Sequence, residues 1–92
     1  MGGGVTAPRV IFAPDPEFSE EARKAKFQGT VVLFVVVGTD GRAHDVRVIR
    51  SLGMGLDEKA LEVIGQWRFE PGRKDGNPVA VQVNVEVSFR LY

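Results

Sequence analysis

The feature that most constrains the fold is a strict alternation of apolar and polar residues near the C-terminus, from Val79 to Tyr92. Successive side chains of a strand point to opposite faces of a sheet, so this period of two predicts one long strand. One face would be buried and the other solvated. The apolar positions are Val79, Val81, Val83, Val85, Val87, Phe89 and Leu91, and they alternate with Ala80, Gln82, Asn84, Glu86, Ser88 and Arg90.

A second strand is predicted from Thr30 to Thr39, where Val31–Val37 is an unbroken run of β-branched and other apolar residues. β-Branched side chains suit a pleated sheet and lose rotamer freedom in a helix. The Asp40–Gly41 pair that follows is a strong turn signal. It predicts an antiparallel hairpin with a further strand at Ala43–Ser51.

The first of two helices is predicted from Ser19 to about Phe27. Ser19 is a good N-cap residue, and the acidic side chains at Glu20 and Glu21 favour the positive end of the helix dipole. Phe18, Ala22 and Ala25 fall along one face, and Gly29 ends the element.

The second helix is predicted from about Asp57 to Trp67, with Asp57 as its cap. Leu56 before the cap and Leu61 in the first turn fit a hydrophobic staple. The apolar face at helical spacing consists of Ala60, Leu61, Ile64 and Trp67.

The order helix, strand, strand, helix, strand predicts an α+β fold. The last strand returns after a helical crossover, and placing it beside the first strand gives a split β-α-β unit. We expect a three-stranded antiparallel or mixed sheet of order 2-1-3, with both helices on one face. A brief extra strand is predicted at Arg9–Ala13. Residues 1–9 are predicted to be a linker or cloning remnant, and residues 10–92 one domain.

Composition excludes several classes of function. The 92 residues carry 12 basic and 12 acidic side chains, which argues against the positive field that a nucleic-acid-binding protein needs. There is no cysteine and one histidine, His44, without ligands at helpful spacing, so we expect neither a metal nor another cofactor. The sequence shows no arrangement of a nucleophile with a base that would indicate an enzyme. No apolar run reaches the roughly 18 residues that span a bilayer.

Several short motifs, in one order, resemble the C-terminal domain of TonB, the energy transducer of outer-membrane transporters. The matching stretch covers roughly Val10 to Tyr92. The resembling motifs are Pro16-Glu17-Phe18 followed by Ala22-Arg23, Gln28-Gly29-Thr30-Val31, Asp40-Gly41-Arg42, Leu56-Asp57 through Ala60-Leu61, Gln66-Trp67-Arg68-Phe69-Glu70-Pro71-Gly72, and Gly76-Asn77-Pro78-Val79.

The resemblance implies a periplasmic domain that is anchored to the inner membrane through an upstream segment. Such a domain captures the TonB box of a TonB-dependent transporter beside its last strand, and an ExbB–ExbD proton channel supplies the force. An edge strand with unpaired backbone groups suits strand addition. The implied contacts to the transporter also include Pro16, Glu17 and Phe18. The implied peptide-binding residues are Val81, Gln82, Val83, Asn84, Val85, Glu86, Val87 and Ser88.

Two departures from the family pattern carry expectations of their own. Ser19 stands where the family has proline, which predicts a looser entry turn, and Phe18 lacks the hydroxyl of the usual tyrosine. The outer face of the first long strand, at Val32, Phe34 and Val36, is unusually apolar, and Ile49 joins it. We expect this interface patch to be covered by the Val10–Phe12 segment, by a second subunit in a homodimer, or by another domain.

An alternative function of a related kind stays open. The same module could serve as an interaction or sensor domain of another envelope protein, such as a membrane-peptidase regulator. The sequence upstream of such a domain would discriminate between the two, because a single helix with a proline-rich spacer favours the transducer.

Overall fold

The protein is described by a computed structural model that covers residues 4–91. Short helices pack against strands in an α+β arrangement that measures 49 × 20 × 20 Å. The elements in chain order are β1 (Val5–Thr6), β2 (Arg9–Phe12), α1 (Glu20–Ala25), β3 (Gly29–Val37), β4 (Ala43–Arg50), α2 (Leu56–Ile64), β5 (Arg68–Glu70), β6 (Gly72–Lys74), β7 (Asn77–Val79) and β8 (Val81–Phe89).

The central sheet has the order β4-β3-β8, which confirms the predicted 2-1-3 arrangement. Both β4 and β8 run antiparallel to β3, so they are parallel to each other with β3 inserted between them. This is the split β-α-β unit, with α2 in the connection. The β3–β8 pairing is continuous from Gly29 opposite Phe89 to Val37 opposite Val81, and it aligns the apolar positions of the two strands on one face.

One face of the sheet forms the core with the two helices. On β3 every second residue from Val31 to Val37 is fully buried. Gly29 is packed closely, since a Cβ there would lie 2.7 Å from the end of the Leu52 side chain, which would have to shift. The buried apolar residues are Ala22, Val31, Leu33, Val35, Val37, Leu56, Ala60, Val63, Ile64, Phe69, Val85, Val87 and Phe89.

Helix α1 is shorter than predicted. Ser19 caps it as expected, because its hydroxyl accepts a hydrogen bond from the Ala22 amide at 3.1 Å. The helix ends at Ala25, since Lys26 adopts a left-handed conformation with φ of 53°. Ala22 is buried and Phe18 packs against the core, but Ala25 is exposed, so the predicted face is wrong at that position.

Helix α2 begins and ends earlier than the predicted Asp57–Trp67. Its N-cap is Gly55, whose φ of 75° is a conformation that glycine adopts without strain. The predicted staple is wrong, because Leu56 is fully buried whereas Leu61 is 40% exposed. Val63 replaces Leu61 on the buried face.

Asp57 does not cap α2, so the prediction for this residue is wrong. Its carboxylate instead accepts hydrogen bonds from the Ser51 hydroxyl and, at 2.9 Å, from the Leu52 amide. The Ser51 hydrogen bond is the main cause that lowers the pKa of Asp57 below its ordinary value of 3.8. The charged side chain thereby joins the end of β4 to the start of α2.

Two small sheets extend the molecule beyond the predicted elements. Strand β2 pairs with β5, and β1 pairs with β6, which forms a hairpin with β7. The turn of that hairpin is Asp75–Gly76, with φ of 52° and 83°. The short strand predicted at Arg9–Ala13 is confirmed as β2. Within the stretch expected to be a linker or cloning remnant, residues 5, 6 and 9 lie in strands, while residues 1–3 lie outside the described part.

The last strand is interrupted at Ala80, which separates β7 from β8, so the single strand predicted from Val79 to Tyr92 is corrected to Val81–Phe89. Tyr92 lies outside the described residues. Residues 68–79, for which no strand was predicted before Val79, contribute β5, β6 and β7. Strands of two to four residues carry too few positions for a period of two to be recognised.

The outer face of β3 is not covered by the Val10–Phe12 segment, so that predicted cover is wrong. The segment pairs with β5 instead, and its side chains are exposed, with Ile11 at 63%. Val32, Phe34 and Val36 are themselves partly exposed. The register flanks them with polar residues on both neighbouring strands.

The β3–β4 hairpin is predicted to depend on Gly41. This residue has φ of 76°, and a Cβ there would collide with the Phe69 carbonyl oxygen, while its own carbonyl accepts a hydrogen bond from the Phe69 amide at 2.8 Å. Gly53 is a matched control, since its φ is 78° but no atom of the described residues lies within 4 Å of the position that a Cβ would take. Gly53→Ala should cost about 1 to 2 kcal/mol of unfolding free energy from the left-handed backbone alone.

Gly41→Ala should cost at least about 1 kcal/mol more than Gly53→Ala, because overpacking adds to the same backbone strain. Urea unfolding of both variants measures the difference. Equal losses in the two variants would contradict the packing of the hairpin against β5.

Candidate functional site

The outer edge of β8 is the candidate site. Strand β8 pairs with β3 along its whole length, and no described residue pairs with its other side. In an antiparallel ladder, residues alternate between bonding one neighbour and bonding the other, so a row of N–H and C=O groups of β8 faces outward. The eight residues from Val81 to Ser88 that the sequence singled out all lie on this strand.

The two faces of β8 offer different side chains beside this edge. On the outer face, Gln82, Asn84, Glu86 and Ser88 are exposed. On the core face, burial increases along the strand, so that Val81 and Val83 are partly exposed while Val85 and Val87 are buried. An added strand would therefore meet partly exposed apolar surface near the beginning of β8 and a closed core near its end.

The segment before α1 lies beside the end of β8. The Phe18 ring packs edge to face on Phe89, with centroids 5.7 Å apart and planes at 77°. A shallow cavity at this point is lined by Asp15, Pro16, Phe18, Ser88, Phe89 and Arg90. The structure thus brings two of the three predicted contact residues, Pro16 and Phe18, to the end of β8.

Glu17, the third predicted contact residue, is directed elsewhere. It is exposed and lines a second cleft, against α2, together with Asp15, Lys59, Glu62, Val63 and Gln66. Asp15 lines both cavities, and Arg90 lines the first. Neither residue was predicted from the sequence to belong to the site. Asp15 could have been included because it precedes Pro16 in the sequence. The place of Arg90 in the site follows only from the tertiary structure.

Hydrogen bonds from distant elements hold the segment before α1 in place. The Trp67 indole N–H donates to the Pro14 carbonyl at 3.2 Å. Ser19 donates its hydroxyl to the Met54 carbonyl at 2.5 Å while it accepts from Ala22. The looser entry turn expected from Ser19 in place of proline stays a prediction, while the hydroxyl supplies two hydrogen bonds that proline lacks.

Arg68, the first residue of β5, lies half-buried close to the C-terminus of α2. Its guanidinium donates to the carbonyls of Gly65, at 3.4 Å, and Trp67, at 3.0 Å. The bond to Gly65 satisfies the carbonyl of the residue that caps the C-terminus of α2. Arg68 thus supports the turn that carries Trp67 to Pro14.

The histidine has a local partner at the hairpin. His44 is exposed, and its Nε2 lies 3.1 Å from the carboxylate of Asp40. The hydrogen bond from the Arg42 amide and the contact with His44 lower the pKa of Asp40. Among residues 4–91, no group of three or more His, Cys, Asp or Glu side chains is placed to hold a metal ion.

One further property of the chain concerns membranes. No helix within the described residues combines the length and apolarity needed to cross a bilayer.

Comparison with known proteins places this chain in a family. Residues 14–91 match the family model described as Gram-negative bacterial TonB protein C-terminal. Protein TonB of Vibrio cholerae is 34% identical over 89 residues, an alignment that covers 95% of this chain and 36% of that protein. Protein tonB2 of Pseudomonas aeruginosa is 30% identical over 79 residues, which cover 85% of this chain and 29% of that protein.

The chain therefore spans about a third of the length of these curated relatives. Among solved structures, the solution NMR structure of the Pseudomonas aeruginosa TonB CTD has a TM-score of 0.72 at 24% identity, covering 94% of this chain and 88% of that one. That likeness establishes a shared fold. Together with the match over residues 14–91, it leads to one conclusion: the chain belongs to the family of Gram-negative bacterial TonB C-terminal domains.

Proposed function

We propose that this chain is the periplasmic, non-catalytic binding domain of a TonB-like energy transducer, and that β8 captures the TonB box of an outer-membrane transporter by strand addition. The observation that carries the proposal is the outer edge of β8, with which none of residues 4–91 pairs, in a chain of this family. Backbone hydrogen bonds would supply affinity, and pockets for alternate side chains would supply specificity.

The composition of β8 favours this use of the edge. Natural edge strands are commonly protected by lysine, proline or very short length. Strand β8 is nine residues long and contains neither lysine nor proline. The nearest proline, Pro78, lies in β7 beyond the interruption at Ala80. The edge is therefore chemically open to a partner strand.

The surface around the strand suggests where a bound peptide would lie. The partly exposed Val81 and Val83 would take apolar side chains from every second position of the peptide. At the other end, the cavity between Phe18 and Arg90 would receive the end of the peptide or an adjoining part of the transporter. Glu17, exposed beside α2, would contact the transporter outside the box.

In the full-length protein, the domain would be tethered to the inner membrane through an upstream segment and would receive force from an ExbB–ExbD channel. A pull along the strand direction would load many hydrogen bonds of the β8–peptide ladder together. A pull across the strands would instead break them one at a time. The strand-addition geometry thus suits a mechanical coupling.

Titration with TonB-box peptides, followed by NMR of the labelled domain, tests the binding site. Chemical-shift changes should concentrate on residues 79–91. Two peptides provide the matched pair, one N-methylated at every odd backbone position and the other at every even position. Only one of these two sets of amides would face β8. One of the two methylated peptides should lose binding, by about 1 kcal/mol or more for each hydrogen bond removed, while the other keeps it.

Equal binding by both methylated peptides would rule out strand addition. If many boxes produce no shifts on residues 79–91, the proposal fails. The alternative, an interaction or sensor module of another envelope protein, would then be favoured.

Force spectroscopy of the domain joined to a box peptide tests the transmission step. The complex should resist separation more strongly when it is pulled along β8 than when it is pulled across the strand. The tolerated N-methyl peptide should behave like the unmodified peptide. A complex that separates at the same low force in both directions would count against force transmission through this ladder.

A further inference from the structure

The outer face of the central sheet, opposite the helices, carries an ordered arrangement of charge that the peptide site does not use. Its middle is the partly exposed apolar stripe of Val32, Phe34 and Val36 on β3. Both helices contribute their buried residues to the core on the other face. No described strand or helix therefore explains why this stripe is apolar.

Polar residues flank the stripe in a fixed order. On the β4 side, Val32 is opposite Arg50, Phe34 opposite Arg47 and Val36 opposite His44. On the β8 side, the same three residues are opposite Glu86, Asn84 and Gln82, respectively. All six flanking residues are exposed. One border of the stripe is thus basic, and the other is neutral to acidic.

At the level of Val32, the two borders have opposite charges. Arg50 and Glu86 lie on either side of Val32, about 10 Å apart across two strand spacings. Neither forms an ion pair with another residue of the part that the structure describes. An arginine and a glutamate are therefore available at one level of the face, near the middle of β3.

We propose that a second copy of this chain packs on this face, with a twofold axis parallel to β3 between the two sheets. That rotation places β4 of each copy over β8 of the other without displacement along the strands. Arg50 of each copy then faces Glu86 of its partner, and the apolar stripes meet between two symmetric ion pairs. A twofold axis that lies across the strands would instead place β4 of one copy over β4 of the other with the direction reversed, so that Arg47 of one copy would face Arg50 of the other when the axis passes between them. Charge therefore selects the first arrangement.

The area of this sheet face limits how tightly two copies can associate. Nine residues of β3 at about 3.3 Å each, and three strands about 4.8 Å apart, give a face of roughly 400 Å² for each copy. The total of about 800 Å² is below the roughly 1,000 Å² of a stable interface. An interface of this size falls in the weak, transient class, for which we take a dissociation constant on the order of 10⁻⁴ M as the working value. The dimer leaves the outer edge of β8 free, so it does not depend on peptide capture.

Sedimentation equilibrium at protein concentrations up to about 1 mM tests this dimer, since that range brackets the expected constant. Phe34→Lys should abolish association. Arg50→Glu and Glu86→Arg should each weaken association at least about threefold, and the double variant should restore it, because the ion pair is re-formed with exchanged partners. Lys24→Glu, which makes the same charge change on exposed α1, should have no effect.

Circular dichroism verifies that each variant is folded. Glu86→Arg tests the association with the apolar stripe left intact, in case Phe34→Lys does not fold. Restoration in the double variant would confirm the pairing. A protein that stays monomeric at about 1 mM would overturn the proposal, as would a dimer that is insensitive to Phe34→Lys or that the double variant fails to restore. Peptide binding at β8 should be unchanged in the Phe34→Lys monomer, which separates this inference from the proposed function.

Discussion

The pairing of β3 with β8 is the interaction that organises the whole domain. Strand β3 is buried on one face at every second residue and apolar on the other, so it is stable only between two neighbours. The hairpin supplies β4 on one side, and β8 closes the other along nine residues. Since no further described strand follows, β8 is left at the border of the sheet. The candidate site is thus a consequence of how the core is completed.

The core face and the site are joined through the segment before α1. Its start is fixed by Trp67 and its end by Ser19, two residues that hydrogen-bond to distant parts of the chain. Phe18 is thereby pressed against Phe89, the last residue of β8. A small domain buries little surface for each residue, so polar contacts that fix a loop matter more to it than to a larger domain. The position of the loop at the end of β8 depends on these contacts.

The regular elements were predictable because long periodic patterns leave few alternatives. The alternation around Val83 and Val85 determined a strand with a buried face, and Asp40–Gly41 determined the hairpin. Of the small sheets only β2 was predicted, since strands such as Gly72–Lys74 are defined by their partners rather than by their own pattern. The cap of α2 was missed because Gly55, with its left-handed backbone, replaced the expected Asp57. At the site, the strand was found from sequence, whereas Arg90 required the tertiary fold.

Whether the outer edge of β8 is open in the free domain can be measured by amide hydrogen exchange of residues 81–89. We expect alternating protection in a monomeric sample, with amides that bond β3 exchanging slowly and amides that face outward exchanging fast. Uniformly slow exchange along the strand would show that the edge is already paired, and the site described above would then be closed to a peptide.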